Sequence, residues 1–316
     1  MTLRSGAKLN AMKLVIRCLI GSALALSLLW AQSGPKTFLP HRVVKDWAQL
    51  PAGENFGMTS GVSLDRDDNV WVFHRGKNPI MQFDEDGRML RRWGDGIINK
   101  AHGIAVGPDG GVWAVDVGAH MILKFSEEGR IQMVLGNVGG QPGTNEDKYA
   151  FNKPTGVAFD SAGNVYVSDG YENTRVVKYS PAGEYIKHWG SPGTGDGEFN
   201  LVHDVAIDSN DRVYIADRSN NRVQVFDSEG KFLNKWTDVG TPWGLDYDAR
   251  EDVIYMADGF TNQVSKLNLD GQVLGTLGSF GKAPGKLDFA HHLDVDTKGS
   301  IYVAEIKNWR VQKFVK

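Results

Sequence analysis

Cysteine is almost absent from this chain: 316 residues hold one, Cys18, so no internal disulfide can staple the fold. A surplus of basic charge is also lacking. With 35 Lys and Arg against 38 Asp and Glu the net charge is −3, which excludes the electrostatic footprint of a nucleic-acid or anionic-membrane surface. The apolar run from residue 18 to residue 30 is too short for a comfortable transmembrane helix. No 3.6-residue hydrophobic period follows it, so helical bundles drop out. There is no glycine-rich phosphate loop, no nucleophile elbow and no Ser-His-Asp arrangement. Glycine, at 38 residues, and tryptophan, at 9, are plentiful in an otherwise ordinary folded composition.

The first 33 residues read as a secretory signal. Arg4, Lys8, Lys13 and Arg17 precede the apolar run, and Ala31 and Ser33 give a small-x-small cleavage pattern before Gly34. Met12 as the start would make the signal more compact, and an uncleaved anchor is the alternative. Cys18 has no lipobox before it. Without this segment the chain carries no cysteine and a net charge of −7, from 31 Lys and Arg against 38 Asp and Glu. A secreted or periplasmic protein, free of the membrane after cleavage, is expected, with residues 34–316 as one domain.

That domain repeats. Each unit runs from a small residue or His through a four-residue apolar strand, a turn such as Pro-Asp-Gly and an aromatic-Val-x-Asp strand. A third strand, a glycine turn and a last strand often ending Trp-Gly complete it. Units begin at Ser60, His102, Thr155, His203, Trp243 and His291, and their second-strand aromatics are Trp71, Trp113, Tyr166, Tyr214, Tyr255 and Tyr302. Six units of about 46 residues match four-stranded propeller blades. The sixth lacks its outer strand, and Val43-Val44-Lys45-Asp46-Trp47 resembles the outer strands elsewhere. The expectation is an all-β, six-bladed β-propeller whose ring is closed by an N-terminal strand completing the last blade.

In such a ring the start of strand one and the end of strand two open on one face. Histidine occupies the first unit position in alternate blades, at His102, His203 and His291, so three imidazoles should converge on the axis. Three neutral imidazoles with an open fourth position suit a catalytic zinc. The alternative is three histidines bonding channel water. Arg75 and Arg218 lie fifteen positions into blades one and four, facing each other across the channel, and suit a carboxylate ligand. Tyr171 joins them from blade three. Two guanidinium groups and a metal ion would favour its phenolate, fitting it to act as general base. Asp116, Asp169, Asp217 and Asp258 recur as turn caps, His74 reads as a loop residue beside Arg75, and His41, His120 and His188 read as solvated.

The units resemble NHL repeats, as in Asp217-Arg218-Ser219-Asn220-Asn221-Arg222-Val223-Gln224. Over residues 43–316 the chain resembles, more specifically, the lyase domain of peptidylglycine α-amidating enzymes. The segments that carry this are His74-Arg75-Gly76, Ala101-His102-Gly103-Ile104, Val167-Ser168-Asp169-Gly170-Tyr171, Val202-His203-Asp204, Ala216-Asp217-Arg218 and His291. The resemblance implies that His102, His203 and His291 bind zinc and that Tyr171, Arg75 and Arg218 form the catalytic site. It implies cleavage of a peptidyl-α-hydroxyglycine, or a related carbinolamide, to an amide and glyoxylate. Three departures stand out. The family's calcium-binding aspartate after the third zinc histidine is His292 here, which puts calcium in doubt although Val62 and Ile104 remain to lend carbonyls. A disulfide cysteine of animal members is Glu172, and the copper monooxygenase is missing from this chain.

The expected partner is thus a small-molecule or peptide substrate with a carboxylate, acted on by a monomer. Two readings compete: a non-catalytic NHL-repeat propeller binding a partner through one face, and a gluconolactonase-type propeller, which would need carboxylates that the first unit position lacks.

Overall fold

The computed structural model describes residues 37–316, and Leu39–Lys316 forms one compact unit. The expected signal, residues 1–33, lies outside the described residues. Six four-stranded antiparallel sheets follow one another along the chain. Blade one is Thr59–Leu64, Val70–His74, Ile80–Phe83 and Met89–Trp93; blade four is Val202–Ile207, Val213–Asp217, Arg222–Phe226 and Phe232–Trp236. Among the described residues there is no α-helix, only a 3-10 turn at Arg218–Asn220. The all-β six-bladed reading therefore holds.

Closure also follows the expectation. Arg42–Val44 pairs antiparallel with the third strand of blade six, Val43 opposite Phe314. Trp47, just beyond it, is buried with its ring 5.2 Å from Tyr302 of blade six and 5.6 Å from Phe83 of blade one. The last sheet thereby gains an outer strand and the two chain ends are tied together.

The core is divided among the joints of the ring. Six apolar clusters each combine residues of two neighbouring blades, as where Tyr214 and Trp236 meet Ile254 and Met256. Apolar burial therefore holds blade to blade, with hydrogen bonding holding strand to strand. The repeated second-strand aromatics sit at these joints, and Trp71, Tyr166, Tyr214, Tyr255 and Tyr302 are fully buried. Several anchor their polar tips on the aspartate of the preceding turn: Trp71 Nε1 on Asp65 (3.1 Å), Tyr166 Oη on Asp160 (3.0 Å) and Tyr214 Oη on Asp208 (2.9 Å). These positions demand a large apolar body, and a polar tip is satisfied where the turn aspartate reaches it; Trp113 Nε1 and Tyr255 Oη are buried without a partner.

The turn aspartates do more than cap. Asp116 accepts from Gly118 and Ala119 in its own turn and also from Asn99 and Lys100, which lead into strand one of blade two. Asp217 likewise receives Asn200 N, and Asp258 receives Thr241 N. Each carboxylate thus fixes where the innermost strand begins.

Candidate metal centre and channel mouth

In blades one, two, three, four and six the strand-one register slips at the first unit position. A bulge there leaves one residue unpaired and re-aims its side chain. From blades two, four and six these residues are His102, His203 and His291. Their rings meet with centroids 4.7–5.0 Å apart, and their candidate ligand atoms all lie within 4.8 Å of one another.

The alternate blades orient them. His102 Nδ1 lies 2.6 Å from Thr155 O, His203 Nδ1 2.6 Å from Trp243 O, and His291 Nδ1 2.7 Å from Ser60 O. These acceptors are the backbone carbonyls of the first unit position in blades three, five and one. A carbonyl accepts only, so each Nδ1 carries the proton and each Nε2 presents a lone pair. Burial pushes His102 down to about 3, with Arg75 and Arg218 adding to the fall, and drives His203 and His291 well below the ordinary value. All three imidazoles are neutral at pH 7.

Tyr171 closes the group. Its hydroxyl lies 3.1 Å from His102 Nε2 and 3.2 Å from His203 Nε2. Its one hydroxyl proton reaches two of the three imidazole lone pairs and can satisfy only one of them. A cation satisfies all three at once, and a trio of imidazole nitrogens suits zinc. The donor set thus fits the expected metal.

Arg218 stacks its guanidinium 4.1 Å from the Trp243 ring and 5.5 Å from the Tyr171 ring, and its Nη1 is buried without a partner. An unpaired buried donor on a cation leaves an acceptor to be supplied by a ligand. Arg75 donates Nε to Ala101 O at 3.0 Å, the residue before His102. Burial lowers both arginines from the usual guanidinium value, and Tyr171 acts in the opposite sense on each. The structure therefore brings His102, His203, His291, Tyr171 and Arg218 together, with Arg75 at the rim.

Local chain geometry makes this possible. Gly170 precedes Tyr171, and a Cβ there would lie 1.8 Å from Val202 O. Only glycine lets blade three bring Tyr171 so close to the start of blade four.

Several sequence readings need correction. His74 is fully buried, and its Nδ1 accepts from Gly57 N and Gly76 N, both at 3.1 Å. It holds the two segments flanking Arg75, and burial takes it down to about 4. His41, His120 and His188 are partly buried and bonded, to Gly299 O, Lys153 N and Tyr185 Oη respectively, rather than solvated. A layer of carboxylates, which the sequence reading passed over, surrounds His292: Asp204, Asp246 and Asp294. Asp246 and Asp294 share a unit position that is Ser or Ala in the other blades, and that exception is the signal in the sequence.

Calcium does not fit this layer. His292 Nδ1 bonds Val62 O at 3.0 Å and its Nε2 lies 3.2 Å from Asp204 Oδ2. Both neighbours are acceptors, so the ring donates twice as an imidazolium. Burial opposes that charge, but Asp204 and Asp294 outweigh it and raise His292 above the ordinary value. The aspartate expected at position 292 is thus replaced by a cation that itself occupies the Val62 carbonyl.

Fold and ring place the chain among NHL-repeat β-propellers, and the NHL repeat model matches residues 151–179 and 199–226. Human NHL repeat-containing protein 3 is 33% identical over 322 residues, covering 93% of this chain and 90% of the human one. The chain belongs to the NHL repeat-containing protein 3 family. It is also 29% identical over 306 residues to Drosophila melanogaster peptidyl-alpha-hydroxyglycine alpha-amidating lyase 1, covering 87% of this chain and 47% of that protein. The structure of a streptogramin B lyase superposes with a TM-score of 0.61 at 15% identity, covering 83% of this chain and 94% of that one, which speaks for the fold alone.

Proposed function

We infer that this protein is a zinc-dependent carbon–nitrogen lyase that cleaves a peptidyl-α-hydroxyglycine, or a related carbinolamide, to an amide and glyoxylate, outside the cytoplasm. The observation that carries the reading is one hydroxyl, Tyr171, within hydrogen-bond reach of two inward imidazole nitrogens and under an arginine with an unpaired buried donor. The likeness to the fly protein of that name supports it.

A zinc ion held by His102, His203 and His291 would supply Lewis acidity to the α-hydroxyl oxygen. Arg218 takes the substrate carboxylate on its free Nη1, with Arg75 adding positive charge from the rim. As the phenolate, Tyr171 would accept the α-hydroxyl proton. The electron pair of that O–H bond becomes the carbonyl of glyoxylate as the N–C bond breaks. The departing nitrogen keeps the N–C pair and takes up the proton, giving the amide. No water or oxidant is consumed, so the balance closes on one substrate and two products. Trp243 and its aromatic neighbours wall the channel mouth on the Arg218 side (ring centroids 4.5 Å to Phe289 and 5.3 Å to Phe260).

The test is glyoxylate release from N-benzoyl-α-hydroxyglycine by wild type and Tyr171→Phe at matched metal content. Loss of the general base should lower kcat by about 10²–10⁴. Metal-loaded wild type that gives only the background rate would overturn the lyase reading in favour of a binding propeller.

A further inference from the structure

Strands two and three of each blade are joined by a turn on the same face as the metal centre. Four residues after the last strand-two position, blades one, two, four, five and six place Asn78, His120, Asn221, Asn262 and Trp309. All five have left-handed backbones, with φ between 51° and 58°. Asparagine tolerates that conformation and histidine visits it, but a bulky aromatic residue is a clear outlier. The Trp309 turn is nevertheless pinned on both sides: Asn308 Nδ2 bonds Glu305 and Gly281 O, and Arg310 Nε bonds Glu305. The indole itself is 51% exposed and makes no hydrogen bond or aromatic contact among the described residues. Strain held in place around an exposed, unemployed aromatic ring points to use.

Trp309 lines a cavity of about 530 Å³ together with Arg75, Gly76 and Lys77 and with Arg92 and its ion-pair partner Glu54. This volume lies within the range of pockets that hold drug-sized ligands, roughly 300–1,000 Å³. It exceeds what the two-carbon hydroxyglycine end of a substrate needs, and it shares Arg75, which bonds the residue before His102, with the candidate site. Three cations against one carboxylate line it, on a chain whose net charge is negative. With the carboxylate and hydroxyl of the substrate engaged by Arg218 and Tyr171, the group on the nitrogen side of the scissile bond must leave the channel past the rim.

The geometry points to this cavity as the acyl subsite of the lyase, receiving an aromatic or similarly flat apolar acyl group against the Trp309 indole. The inference rests on the lyase reading and adds to it the substrate class: large N-acyl groups are preferred to small ones. Trp309 is the specificity-determining residue, and the conjugates best turned over carry an aromatic acyl group or residue next to the hydroxyglycine.

The experiment compares N-acetyl- and N-benzoyl-α-hydroxyglycine as substrates of zinc-loaded wild type and of Trp309→Asn, with glyoxylate as readout. Wild type should favour the benzoyl compound. Trp309→Asn should lower kcat/KM for it by about tenfold, through KM, while the acetyl compound changes less than about twofold. Because Asn occupies this turn position in three other blades, the melting temperature should stay level or rise, whereas a purely structural tryptophan would lower it. Equal losses on both substrates, or none, overturn the subsite. If wild type releases glyoxylate from neither, the lyase reading fails separately, and titration calorimetry with N-benzoylglycine decides the subsite. Binding that weakens about tenfold in Trp309→Asn sustains it; no binding to wild type overturns it.

Discussion

Stripped of metal by a chelator, this protein should lose stability steadily as the pH falls from 7 to 5. Burial holds His74 near 4 and His102 near 3 in the folded state and keeps His203 and His291 well below the ordinary value. In the unfolded chain all four return to about 6.5. Between those limits the unfolded state binds more protons, so stability is complete above about pH 6.5 and declines on acidification. Three groups work in the opposite direction. Burial raises Asp294 to about 6 and Asp246 well above the carboxylate range, and Asp204 keeps His292 charged. Near pH 5.5 His74 and His102 take up nearly two protons on unfolding and Asp294 releases about 0.7, a slope of about 1.5 kcal/mol per pH unit, to which His203 and His291 add and which Asp246 opposes. Against a total of about 5–15 kcal/mol for a typical domain, that is a large loss over two units. Urea midpoints from circular dichroism at pH 7, 6 and 5 in excess chelator measure it. Added zinc should contribute a nearly constant increment across the same range, because the folded imidazoles are already neutral and no proton competes for them. A chelated protein equally stable at pH 7 and pH 5 would refute the buried neutral triad, as would a zinc increment that collapses between pH 7 and pH 6.

Two substitutions probe the mouth of the channel. Arg218→Lys keeps the charge but gives up the planar fork stacked on Trp243 and Tyr171, and should lower kcat/KM by about 10–100-fold with the melting temperature little changed; wild-type turnover would remove Arg218 from the site. Gly170→Ala forces a methyl group against Val202 O, and should cost about 1–3 kcal/mol in a urea titration while slowing glyoxylate release through displacement of Tyr171; unchanged values of both would show that the contact can relax.

Ring size, blade boundaries and closing strand were legible because each leaves a periodic trace in the sequence. The Trp71-to-Tyr302 series marks strand two, and Val43–Trp47 matches the outer strands in composition. The triad was legible for the same reason: three histidines at one register position cannot avoid each other on the axis of a closed ring. What orients them was not. Thr155, Trp243 and Ser60 act through backbone carbonyls, and a carbonyl is the one group that every residue shares. His74 was misjudged because the sequence places it in a turn, whereas its two hydrogen bonds come from backbone amides, one of them seventeen residues upstream at Gly57. Asp204 and His292 could be seen individually but not as an ion pair, since their unit positions meet only across the ring from blade four to blade six.

That sharing of backbone carbonyls explains how a six-fold ring makes a three-fold site. The even blades orient their histidine side chains and the odd blades hold them through main-chain carbonyls at the same unit position, so what the odd positions contribute to the triad is the carbonyl alone. Residues as different as serine, threonine and tryptophan can then occupy them. The side chain in blade five, having no part in holding His203, is free to be a tryptophan whose face carries Arg218. At the rim, the turn of blade one carries Arg75, which lines the Trp309 cavity. The asymmetry that the proposed substrate would require therefore enters through the odd blades and the turns, while the three-fold arrangement of His102, His203 and His291 is set by the even ones.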